Sequence, residues 1–283
     1  MNVLRVYSDL HQEFKTDHYF KIIPCGNEKE QVLAIVGDYF HHAFHNRDGV
    51  DIFQKDFEDY SQRFKAVVLV LGNHDFYGKK SKLGKDYILR FADFLSQFPN
   101  VHLLTRHTPS VEIDGQVFIG ATLWTNFLYK PVESITHGFY TSKSNDFLNI
   151  TYVHANGKGF SNFQPRHWLS EFISDFNWIK SQVEKNKEKD VVILTHFAPS
   201  LQCVDQDDKM GDYAEYYKSD LDKFILNNPH IKTWLFGHIH SQNNLMIGNT
   251  HLFSNPVGYE LKDDLYPQLS FPEPPVPQKK YKI

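Results

Sequence analysis

The stretch KAVVLVLGNHDFYG, residues 65–78, runs a β-branched apolar segment directly into an amide, an imidazole and a carboxylate, those of Asn73, His74 and Asp75. Its apolar part is too short for a helix and rich in valine, which marks an interior strand. Alone, the polar sequel reads as a turn in which Gly72 and Asn73 reverse the chain. It becomes a site only if other strands deliver matching groups to the same rim.

Other strands of the same kind surround it. VLAIV (32–36), VVIL (191–194) and TWLF (233–236) are short apolar runs with the composition of strands covered on both faces, and VLRVY precedes them near the start. Between them lie segments of helical period at residues 50–64, 86–98 and 165–189, the last opening on Pro165, which suits a first helical turn. Strand and helix alternate, so the class is α/β. SVEIDGQVFIGATLW predicts a hairpin about Asp114 and Gly115, and LMIGNTHLFSN a second about Gly248 and Asn249. These hairpins favour two packed sheets over one open sheet. Residues 125–164 show no sustained period and read as a long substrate-facing insert within a domain spanning residues 1–260. The proline-rich remainder, 261–283, reads as an extended tail.

Composition narrows the function. The chain has 283 residues, a net charge of -4 and a pI near 6.5, which gives a polyanion no broad attraction. Long nucleic acid is therefore not expected as a partner. No stretch approaches the apolar length of a membrane span, and the start lacks a signal-peptide pattern, so a cytoplasmic protein is expected. Cys25 and Cys203 lie far apart without a Cys-x-x-Cys pattern, consistent with free thiols in a reducing compartment.

The segments that follow the strands share a chemistry. They are Ser8 to His11, Gly37-Asp38, Gly72 to Asp75, Thr195-His196 and Gly237 to His240. Strand ends of an α/β sheet converge on one rim, where ligands bind. Asp9 and Asp38 would bring carboxylates, Asn73 an amide oxygen, and His11, His196, His238 and His240 imidazoles. A single ion cannot use them all, whereas two divalent cations sharing a carboxylate can. Oxygen and imidazole donors together suit Mn, Fe, Zn, Ni or Co, with Mn favoured. The Asp-x-His and His-x-His spacing predicts an extended backbone in which residues i and i+2 face the same way. The glycines before Asp38, Asn73 and His238 are expected to let the chain leave the strand sharply and approach an ion closely.

This ordered set resembles the calcineurin-like metallophosphoesterase superfamily, whose pattern of Asp-x-His, Gly-Asp, Gly-Asn-His-Asp/Glu, His and Gly-His-x-His is met from Asp9 to His240. SDLHQEF, VLGNHDFYG, IGATLWTNF, THFAPS and IGNTHLFSNPVGY are similar in wording to bacterial and phage-type small phosphoesterases. The resemblance implies a four-layer αββα sandwich with two facing mixed β-sheets. It implies one metal on Asp9, His11, Asp38 and His240, a second on Asp38, Asn73, His196 and His238, and Asp38 as the bridge. By the same resemblance His74 contacts the phosphate and assists the leaving group, with Asp75 orienting its imidazole. The chain departs from the pattern after Asp38, where many members carry a second acid and this one has His41, His42 and His45.

The expected activity is hydrolysis of a small phosphodiester or phosphomonoester, nucleotide-derived in one reading, by a hydroxide held between two cations. Such pairs stand roughly 3.5 to 4 Å apart and bring the pKa of bound water near neutrality. A metal-dependent nuclease is the alternative, and a non-catalytic interaction module a third. Trp124, Phe127, Tyr129, Phe139, Tyr140, Tyr152 and Tyr77 are candidates to stack on a base, against the plainer reading of local packing.

Overall fold

A computed structural model describes residues 3–14, 20–39, 47–78, 82–132, 135, 144–154, 157–203 and 211–259. The elements run β1 (Val3–Tyr7), β2 (Gln31–Val36), α1 (Arg47–Arg63), β3 (Ala66–Val70), β4 (Lys82–Leu83), α2 (Lys85–Leu95), β5 (Val101–Leu103), β6 (Val111–Ile113) and β7 (Gln116–Ala121). After these come α3 (Asn145–Asn149), β8 (Thr151–Val153), β9 (Phe160–Asn162), α4 (Pro165–Lys185), β10 (Asp190–Thr195), α5 (Asp222–Leu226), β11 (Ile231–Leu235), β12 (Asn243–Ile247) and β13 (Thr250–Ser254).

Two sheets carry the fold. The four-stranded sheet has the order β1-β2-β3-β5, and its pairings are all parallel. The six-stranded sheet, β12-β13-β11-β10-β7-β6, has a parallel centre closed by an antiparallel hairpin at each edge. Of these two, only the six-stranded sheet is mixed, because it receives the two hairpins. The β6-β7 turn places Asp114 and Gly115 at φ 49° and 80°, as a type I′ turn requires.

Side-chain alternation shows why the interior strands read as unbroken apolar runs. On β2, Val32, Ala34 and Val36 enter the core between the sheets, while Leu33 and Ile35 join the core beneath the helices. Val68 and Val70 of β3 meet Phe118 of β7 and Val192 and Leu194 of β10 in the inter-sheet layer. Helices α1 and α2 contact β3 and β5, whereas α4 and α5 contact β7 and β12, giving helix, sheet, sheet and helix in succession.

Within the stretch expected to lack regular structure lie α3, β8 and β9, and the last two join β4 in a small third sheet. Elements of three to five residues leave no period to detect. Trp124, Phe127 and Tyr152 are buried and belong to the core, so the plainer reading of these aromatics holds. His41, His42, His45, Phe139, Tyr140 and the tail from residue 261 lie outside the described residues. Among the described residues no helix is long and apolar enough to cross a membrane.

The inter-sheet layer should dominate stability. Phe118 is wholly buried there. Phe118→Ala should cost about 3–5 kcal/mol in urea unfolding. Ile173→Ala, on the half-exposed face of α4, should stay within about 0.5 kcal/mol.

Candidate metal centre

Parallel pairing in both sheets brings the strand ends to one rim. Asp9, Asp38, Asn73, His196 and His238 each lie within three residues of the end of β1, β2, β3, β10 and β11 respectively. The chain leaves the strands by a backbone that sequence patterning did not reveal. Asp9, His11, Asp38, His238 and His240 have φ of 53°, 43°, 52°, 66° and 48°. Such left-handed conformations are costly for residues with a Cβ, on the order of 1 kcal/mol or more each. The expectation of extended Asp-x-His and His-x-His pairs is therefore corrected. The left-handed turns let His238 and His240 diverge toward different neighbours, which an extended pair could not do.

Backbone hydrogen bonds hold these turns. The Asp9 and His11 amides donate to the carbonyls of Gly37 and Asp38, both at 3.0 Å. The His238 amide donates to both oxygens of Asp9, at 3.0 and 3.1 Å. The His74 amide donates to Asp38 Oδ1 at 2.8 Å. The glycines here make room for ligand side chains rather than for an ion. A Cβ on Gly37, itself at φ 84°, would stand 2.3 Å from His196 Nδ1, and one on Gly72 would stand 2.1 Å from Asp38 Oδ1.

The structure gathers all of the expected ligands. Asp9, His11 and His240 form one cluster of donor atoms, and Asp38, His196 and His238 another, while a third group, His11, Asp38 and His74, overlaps both. Each cluster draws on both sheets. Asp38 Oδ2 lies between them, 3.3 Å from His196 Nε2 and 3.7 Å from His11 Nε2. Asn73 Oδ1 reaches the second cluster at 2.9 Å from His196 Nε2.

Proton positions test whether cations fit. His196 Nδ1 faces the Val36 carbonyl at 3.0 Å, an atom that can only accept, so Nδ1 carries the hydrogen. The Asn73 amide nitrogen donates to Asp146 Oδ1 at 2.7 Å, which aims its oxygen at His196. A neutral His196 thus turns a lone pair onto the Asn73 oxygen and the Asp38 carboxylate. His11 Nδ1 is held 3.2 Å from Glu13 Oε1, leaving its Nε2 to face His240 Nε2 at 3.2 Å. Lone pairs converging at these separations are what a cation bonded at about 2.1 Å to each would require. The donor set fits divalent metal.

Without metal, the cluster's charges fall on protons. Burial disfavours ionised carboxylates, yet the imidazoles around Asp9 and Asp38 outweigh it and hold both well below the usual carboxylate range. Burial likewise opposes the charged form of His74, but Asp38, Glu13 and Asp146 raise its pKa to about 9.

Asp75 is not the partner of the His74 ring. Its Oδ2 accepts from the backbone amides of Gly72 at 2.7 Å and Asp38 at 3.0 Å, so it shapes the turns that carry the ligands. Burial and the neighbouring Asp38 charge push its carboxyl upward. The carboxylate beside His74 is Glu13, with Oε1 3.6 Å from Nδ1. Tyr77 stacks on the His74 ring at 4.2 Å and donates to Asp146 Oδ1 at 2.8 Å. Glu13 was overlooked although it sits two residues after His11 in SDLHQEF, the one signal that could have found it. Asp146, the acid behind Asn73, comes from α3 and carries no sequence signal.

The sequence model of calcineurin-like phosphoesterase matches residues 4–242 of this chain. An uncharacterized protein of Acanthamoeba polyphaga mimivirus is 28% identical over 283 residues, covering 92% of each chain. Among solved structures, the phosphopantetheinyl hydrolase of Mycobacterium tuberculosis superposes with a TM-score of 0.64 at 13% identity, covering 96% of this chain and 97% of that one. That likeness concerns the fold.

Two outcomes follow from the geometry. Gly72→Ala should displace Asp38 and weaken divalent-metal affinity about 10- to 100-fold in calorimetric titration. In metal-free protein, NMR should find His74 titrating near 9 rather than 6.5. Its contribution to stability is then complete below about 6.5 and lost as pH rises through 9, and cation loading should lower the titration point.

Proposed function

The chain belongs to the calcineurin-like phosphoesterase family and is a metal-dependent phosphoester hydrolase, and from that premise we propose that it cleaves a small phosphate ester at a pair of divalent cations. The observation that carries the reading is the place of Asp38 Oδ2 between the donor clusters, within 3.7 Å of an imidazole from each. Asp9, His11, Asp38 and His240 would hold one ion, and Asp38, Asn73, His196 and His238 the other. When bound, such ions neutralise phosphoryl charge and supply hydroxide near neutral pH.

The remaining steps belong to the protein. His74 stands outside the ligand set, with its ring 4.5 Å from that of His11. In its protonated form it would hydrogen-bond a phosphoryl oxygen and give its proton to the departing oxygen. Glu13 and the Tyr77 ring hold the imidazole in place from two sides. Asp146 and Tyr77 fix the Asn73 amide so that its oxygen faces the ligands.

A small substrate is favoured because the chain has 34 acidic residues against 30 basic ones and offers a long polyanion no general attraction. The free thiols Cys25 and Cys203 support a reducing, cytoplasmic setting.

The test strips the protein of metal, reloads it with Mn²⁺, and assays an aryl phosphomonoester, an aryl phosphodiester, a cyclic nucleotide and an oligonucleotide. Close to two ions per chain and turnover of a small ester are expected. Asp38→Asn should lose both, and its retention of full metal content would remove the bridge. His74→Asn should keep its metal and lose about 10²- to 10⁴-fold in kcat. Glu13→Gln should lose less than His74→Asn, with KM little changed. Preferred cleavage of the oligonucleotide would replace the small-ester reading with a nuclease.

A further inference from the structure

Two large aromatic rings stand open to solvent against the donor clusters. Phe14 is 54% exposed and Tyr259 is 52% exposed. Single exposed aromatics are common on protein surfaces. These two are neighbours, with centroids 5.4 Å apart and planes at 84°, so they make a right-angled corner. One side of the corner rests on ligand imidazoles: Tyr259 lies 4.6 Å from the His11 ring and 4.7 Å from that of His240. Both rings also lie 6.3 Å from His74.

The corner is fixed by the same backbone that aims the ligands. The Phe14 amide donates to the His11 carbonyl at 3.0 Å. The residues before Tyr259 are tied to the first ligand loop, Val257 donating to the Ser8 carbonyl and Gly258 to that of Asp9, both at 2.9 Å. A ring bound there would meet surfaces whose ordering cost has already been met in folding. Of the aromatics weighed as stacking partners, Tyr77 is buried against His74, and Trp124, Phe127 and Tyr152 lie in the core.

We propose that Phe14 and Tyr259 form a subsite for a planar aromatic group carried on the leaving alcohol of the phosphate ester. The corner adjoins His74, the residue that serves the departing oxygen under the proposed function, on which this inference rests. A nucleobase and a simple aryl ring share the required chemistry. One face lies on Tyr259 while the edge meets Phe14, and base-aromatic stacking of this kind is worth roughly 5- to 100-fold in affinity.

The experiment has a binding arm and a turnover arm. Binding of methylphosphonate, benzylphosphonate and a nucleoside 5′-phosphonate to protein with and without Mn²⁺ is measured by calorimetry. Hydrolysis of the corresponding methyl, benzyl and nucleoside esters is measured as kcat/KM on Mn²⁺-loaded protein. Phe14→Leu and Tyr259→Leu keep apolar bulk but remove each ring. The expected result is a preference for ring-bearing ligands that falls about tenfold in each variant, with the methyl compounds changed less than twofold. A nucleoside preference over benzyl identifies the base as the occupant, and equal affinity identifies a generic ring. Equal binding of methyl and ring-bearing phosphonates by the unmodified protein would overturn the subsite. So would a parallel loss for the methyl compounds in both variants, which would make the rings packing for His11 and His240. Ring preference without turnover of any ester would defeat the hydrolase reading and leave the subsite standing.

Discussion

The contact on which the rest depends is that of the Asp38 carboxylate with imidazoles from both donor clusters. Asp38 ends a strand of the four-stranded sheet, and His196 ends one of the six-stranded sheet. The sheets touch through apolar side chains below the rim, but at the rim itself they meet through charge. Buried carboxylates facing imidazoles are stable only with a compensating positive charge, which protons or cations can supply. Cation binding of this kind stabilises only the folded arrangement, so metal affinity and fold stability are linked at this joint.

Aiming so many donors inward has a backbone cost. Five ligand candidates occupy left-handed conformations, and such strain persists only where surrounding structure over-determines it. Here the determinants are explicit. The amides of Asp9, His11, Asp38, His74 and His238 all donate to groups on neighbouring turns, and Asp75 joins two of those turns by accepting from the Gly72 and Asp38 amides. The inter-sheet core supplies the stability that offsets the strain. Asp75 thereby acts at one remove, setting the backbone from which Asn73 and His74 project.

The candidate ligand set was legible because strand-forming runs are easy to see and the polar groups follow them directly. Each of Asp9, His11, Asp38, Asn73, His196, His238 and His240 lies where a run ends, and parallel pairing does the gathering. What was not legible depends on packing between distant segments. Asp146 reaches Asn73 across 73 residues, from a five-residue helix with no period to announce it. The left-handed turns were hidden for a different reason: the i, i+2 spacing of the Asp-x-His and His-x-His pairs fits an extended backbone, and spacing alone does not reveal a positive φ. The resemblance implied Asp75 as the acid that orients His74, whereas the carboxylate beside that ring is Glu13, which arrives from another loop.

Aromatic abundance was visible from the composition, but its meaning was not. In this fold, most large rings near the insert serve the core between helices and sheets, where Trp124 packs on Trp168, Phe163 and Phe197. A buried ring is already satisfied and has no face left for a ligand. The segments that carry the open rings, SDLHQEF and SNPVGY, are instead those that carry or brace the first ligand loop. Selectivity placed on such segments differs from selectivity placed on a long insert. The backbone beneath both rings is bonded to the turn that carries Asp9 and His11, so the aromatic corner and the candidate metal ligands share one scaffold.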